Sequence, residues 1–74
     1  MSLVKYLTSL TKPELERFTK ECNFSDDEQE VFDMLSRNKS TLEISFKLGL
    51  SKRTTDRRIE SIKRKVDKIN GKNN

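Results

Sequence analysis

Arg53, Asp56, Arg57 and Glu60 recur at i, i+3, i+4 and i+7 in the last third of this 74-residue chain. On a helix that spacing sets two guanidiniums and two carboxylates on one face. Guanidiniums donate in a planar fork to planar acceptors, and carboxylates accept from amino groups. This is the chemistry of recognition. Covalent chemistry has little to work with. The chain has no histidine, which excludes histidine bases, histidine-dependent triads and Cys/His zinc sites. It has no Gly-rich phosphate loop. We expect neither an enzyme nor a bound metal or cofactor. Cys22 is the single cysteine, so no internal disulfide forms. Four residues after Phe18, it reads as a small core residue.

Charge is unevenly placed around this face. Residues 1–51 carry 7 Lys/Arg against 9 Asp/Glu, and residues 52–74 carry 9 against 3, which gives the net +4 of the whole chain. A basic end behind a near-neutral body suits a polyanion. A solvated lysine-rich helix would have the same composition. No apolar run approaches the ~18 residues of a membrane span, and the N-terminus lacks a secretory cleavage pattern. The expected location is the cytoplasm, with no membrane partner.

A chain this short buries only about 60% of its unfolded surface, so its helices must be well capped. The pattern predicts an all-α fold, a small bundle of four to five helices forming one domain over residues 1–70. A first helix is expected over residues 2–10, carrying Leu3, Leu7 and Leu10. Pro13 fits the first turn of a second, with Thr11 and Glu14 at capping-box spacing and Leu15, Phe18 and Cys22 as its stripe. Together they form an N-terminal extension, 1–22. The segment "SDDE" from Ser25 is a second capping box, opening a helix that buries Val31, Phe32 and Leu35. "STLE" from Ser40 repeats the device. That helix ends near Leu48, with Gly49 in the left-handed conformation. Ser51 caps the last helix, from Lys52 to about Asn70, and 71–74 is expected to be a disordered tail. Thr55, Ile59, Ile62, Val66 and Ile69 form the inward stripe of that helix. A coiled-coil seam is the alternative use of this stripe.

A short helix, a glycine turn and a second capped helix make a helix-turn-helix, here within residues 25–70. The residue four before the glycine lies where the helices cross and must be small; it is Ser45. Ile59 and Ile62 anchor the second helix, which leaves Lys52, Arg53, Asp56, Arg57 and Glu60 outward. A helix fits the DNA major groove, and long polar side chains near its N-terminus reach base edges.

Residues 24–66, "FSDDEQEVFDMLSRNKSTLEISFKLGLSKRTTDRRIESIKRKV", resemble the helix-turn-helix of LuxR/GerE-type regulators and of region 4 of bacterial sigma factors. The resemblance implies that Lys52, Arg53, Asp56 and Arg57 face bases and that Thr54, Arg58 and Arg64 contact phosphates. It implies a small bacterial or phage transcriptional regulator bound to double-stranded DNA. A homodimer and a contact with RNA polymerase are further partners that it brings in. The rival reading is a protein-interaction module that docks on RNA polymerase or another regulator. Four positions depart from the family. Phe24 stands for the usual leucine, Ser45 for the usual alanine and Thr55 for the usual valine, and Phe46 occupies a position usually polar. The further helix that follows the recognition helix in LuxR-type domains is not in this sequence.

Leu42 and Phe46 lie one helical turn apart, away from the Ile44/Leu48 face. An apolar pair there needs a cover. We expect the N-terminal segment to supply it through Leu3, Leu7, Leu10 or Phe18, with a homodimer interface as the alternative.

Overall fold

The structure, a computed structural model, describes residues 3–71. It is all helical, with five helices among the described residues: α1 (Leu3–Thr8), α2 (Lys12–Cys22), α3 (Asp26–Ser36), α4 (Thr41–Leu48) and α5 (Lys52–Gly71). Ser2, the expected first residue of α1, and 72–74 of the expected tail lie outside the described residues. Gly71 belongs to α5.

Local chemistry sets most of the helix boundaries. The Thr11 hydroxyl accepts the Glu14 N–H at 3.4 Å, and the Glu14 carboxylate accepts the Thr11 N–H at 2.9 Å. The Thr11 N–H, and after it the Thr11 hydroxyl at 3.0 Å, donate to the Glu14 carboxylate and hold it below its ordinary pKa range. Ser25 and Glu28 make the same reciprocal pair at 3.3 and 3.1 Å. At α4 only half of the box forms. Ser40 accepts the Glu43 N–H at 3.1 Å, but the Glu43 carboxylate takes the Ser40 hydroxyl instead of its backbone N–H. The chain leaves α2, α3 and α4 through left-handed residues: Asn23, Asn38 and Gly49, with φ of 51°, 63° and 66°. Asparagine tolerates that region better than other side chains do.

α5 forms the spine of the molecule. Its 20 residues run for about 30 Å, most of the 36 Å long axis. α2, α3 and α4 all pack on it, and α1 packs on α3. The core joins Leu7, Phe18, Val31, Phe32, Leu35, Ile44, Ile62, Val66 and Ile69. The inward stripe of α5 is therefore spent inside the chain, which removes the coiled-coil seam. Ile59 is half-buried at its edge. Cys22 also packs half-buried against this core, and burial raises its thiol above the usual range.

One expectation fails. The N-terminal segment does not cover Leu42 and Phe46, which stay 71% and 92% exposed. α1 and α2 go to α3 and α5 because those helices offer the larger apolar faces. Leu7 is fully buried, and Phe18 meets Tyr6 edge to face at 6.2 Å. The N-terminal extension is thus part of the core. α1 has six residues, too few to hold as a helix alone. It is helical because Leu7 is anchored.

Leu7→Ala should therefore cost about 3 kcal/mol, against a total stability of about 5 kcal/mol for a domain of this size. Phe46→Ala should stay within about 0.5 kcal/mol of wild type. Urea unfolding followed by circular dichroism measures both.

Candidate nucleic-acid interface

The geometry starts at the turn after α4. Leu50 donates its N–H to the Ser45 carbonyl at 2.9 Å, and Gly49 donates to Phe46 at 3.4 Å. This pair of bonds closes the helix end and requires left-handed torsions at Gly49. A Cβ built on Gly49 would meet nothing within 4 Å. Glycine is needed here for its backbone angle and not for space. Ser51 then opens α5, its hydroxyl accepting the Thr54 N–H at 3.1 Å and donating to Thr54 Oγ1 at 3.0 Å.

The helices cross at Ser45 and Thr55. Both are buried, and their hydroxyls lie 2.8 Å apart. Each also reaches its own helical carbonyl four residues back: Ser45 to Thr41 at 2.9 Å and Thr55 to Ser51 at 3.0 Å. Two hydroxyl protons serve these three contacts, so one bond can join the helices while another satisfies a carbonyl. The two departures from the pattern noted above therefore meet each other. The crossing is polar, but no buried side-chain N or O among the described residues lacks a partner.

α3 fixes α5 from the other side. Arg58 pairs with Asp27 at 3.1 Å. Glu28 accepts from Lys65 Nζ at 2.6 Å and from the Ser61 hydroxyl at 2.7 Å, besides capping α3. Burial raises the pKa of Glu28, but the bonds from Lys65, Ser61 and the Ser25 N–H, with the charge of Lys65, outweigh it and hold the pKa at about 2. Lys65 also lies 5.7 Å from the centre of the Phe24 ring.

With those contacts made, the remaining side of α5 is a shallow groove lined by Lys52, Arg53, Asp56, Arg57, Glu60, Ser61 and Arg64. All but the half-buried Ser61 are exposed. Lys52, Arg53, Arg57 and Arg64 make no ion pair among the described residues. The four residues expected to face bases are thus together. Arg64, expected on a phosphate-facing flank, shares their face. Thr54 is half-buried in the cap, and Arg58 is turned toward α3, where any other anion must compete with Asp27. Ser61 was not singled out by sequence, although it falls four residues after Arg57. Asp27 and Glu28 form an acidic rim beside Arg57 and Arg58. Their long-range partners lie 31 to 37 residues away, beyond any local spacing rule.

Comparison with protein-family models, curated proteins and solved structures finds no match for this chain. Among the described residues no group of His, Cys, Asp and Glu is placed to hold a metal ion, and no helix is long and apolar enough to cross a membrane.

Glu28 gives the interface support a pH signature. Its folded pKa lies below the ordinary carboxylate value of about 4.3. Its contribution is present above that value and fades as pH falls toward about 2. Glu28→Gln should cost about 2 kcal/mol at neutral pH, a figure reduced for the solvent screening at Lys65. It should also flatten the fall in stability across this acid range. Urea midpoints measured as a function of pH test both parts.

Proposed function

We propose that this chain is a sequence-specific reader of double-stranded DNA, with α5 as the recognition helix and α4 as its support. One observation carries the reading. The basic side chains Lys52, Arg53, Arg57 and Arg64 on the outward face of α5 make no ion pair among the described residues, while Arg58 and Lys65 on its flanks are held by α3. Unpaired guanidiniums on a rigid helix have donors free for the acceptor edges of guanine. In this reading Arg53, Arg57 and Arg64 approach bases, with Lys52 at the groove edge. Asp56 and Glu60 accept from cytosine amino groups and reject phosphates placed out of register. Lys63 and Lys68 add charge that lowers the free energy of approach without reading sequence. Single-stranded nucleic acid is disfavoured because the α5 face has no aromatic ring for stacking. A small transcriptional regulator working in a bacterial cytoplasm, resembling the LuxR/GerE and sigma region 4 helix-turn-helix, is the role that fits. The rival, a module docking on RNA polymerase or another regulator, is favoured by the exposed Leu42 and Phe46 alone.

A random duplex library passed over the protein at low salt tests the proposal. One enriched motif is expected. Absence of any DNA retention would support the rival. On the enriched motif, log K should fall with log salt at a slope of roughly −0.9 per phosphate contact. Arg57→Ala should cost about 1–3 kcal/mol and relax specificity at one base position. Lys68→Ala should weaken all sequences evenly. Asp27→Asn releases Arg58 and should strengthen binding to every sequence alike.

A further inference from the structure

We infer that the duplex read by α5 is a run of about four G·C pairs, selected by Arg53, Asp56, Arg57 and Glu60 acting together. This rests on the proposed function and names the sequence class that the same face takes. Charges of alternate sign stand along it: Arg53, Asp56, Arg57, Glu60 and Arg64. Their spacings of three and four let neighbours on a helix pair. Yet none of the five makes an ion pair among the described residues. Donors and acceptors are both presented outward. Two carboxylates amid the cations weaken any surface that only gathers phosphates, because each repels the DNA backbone. They contribute to binding where they accept a hydrogen bond from a base.

The edges of the bases decide which. In the major groove guanine presents two acceptors, N7 and O6, that fit a guanidinium fork, and cytosine presents an amino donor with no acceptor beside it. Adenine also has an amino group, but the N7 acceptor next to it repels a carboxylate, and amides are the side chains that match adenine. Thymine offers a methyl group, which asks for an apolar contact. The outward face of α5 has neither an amide nor an apolar side chain. The apolar residues of the helix, Ile59, Ile62, Val66 and Ile69, are buried or half-buried on its inner side. Its one amide, Asn70, lies ten residues past Glu60 and donates to the Tyr6 hydroxyl at 3.2 Å. Ser61 gives its hydroxyl to Glu28, and Thr54 is half-buried in the cap. From Arg53 to Glu60 the helix rises about 10 Å. That length covers about three steps of the ~3.4 Å base stack, and so about four pairs.

Selection from a random-core duplex library, run with the wild type and with Asp56→Asn, tests the inference. The wild type should enrich cores of about four consecutive G·C pairs. Replacing the core guanines by 7-deazaguanine keeps base pairing but removes the N7 acceptor, and should weaken binding about tenfold or more. Asp56→Asn should enrich a core in which adenine replaces one cytosine, and should bind the original core about tenfold less tightly. The sign separates this role from that of a merely solvated carboxylate, whose removal lowers repulsion and strengthens binding to every duplex alike. A core with A·T at the contacted positions, or an affinity indifferent to 7-deazaguanine, would overturn the inference and leave the DNA reader standing. So would an Asp56→Asn variant that selects the unchanged core or binds all duplexes more tightly. Absence of any DNA retention would instead remove the proposed function, and the inference with it.

Discussion

The angle between α4 and α5 governs everything on the outward face, and two adjacent devices fix it. Gly49 adopts a φ of 66° that other residues reach only with strain, and Ser45 and Thr55 hydrogen-bond at the point of closest approach. A larger residue at 45 would push the helices apart, because that side chain is 9% exposed and its partner is fully buried. An apolar pair of alanine and valine would pack there too. The hydroxyl pair adds direction, since it is satisfied only at one separation and one rotation of α5 about its axis. The rotation decides whether Arg53 and Arg57 point outward or into α3.

The flanks of α5 divide the basic residues by role. Arg58 and Lys65 spend their charge on Asp27 and Glu28, and through them α3 resists rolling of α5. Lys52, Arg53, Arg57 and Arg64 make no ion pair among the described residues. Composition alone could not separate these groups, because all six cations belong to one basic segment. Their contacts do so. The acidic start of α3 thereby serves both its own helix and α5. Its carboxylates favour the positive end of the α3 dipole, and they place negative charge beside the proposed DNA-reading face. Under the proposed function, this arrangement trades some non-specific affinity for orientation.

The legible parts of the fold were the local ones. Thr11, Ser25, Ser40, Gly49 and Ser51 act within four residues of themselves, so their spacing alone locates the helix ends. The inward stripe of α5 was legible for the same reason, being a period along one element. The pairing of Ser45 with Thr55 was not, although both were noted singly, because it depends on how two helices cross. Asp27 with Arg58 and Glu28 with Lys65 were invisible for the same reason. The cover proposed for Leu42 and Phe46 failed because several faces competed for the N-terminal helices. Leu7 and Phe18 gain more by entering the nine-residue core than by capping a two-residue patch.

An amide chemical-shift map recorded while a duplex carrying the preferred sequence is titrated into labelled protein tests the central claim most directly. The account predicts that the largest shifts fall on residues 51–64, at the cap and outward face of α5, and that α1 and α2 hardly move. Shifts concentrated on α1 and α2, or a spectrum unchanged by a duplex that the protein retains, would contradict it.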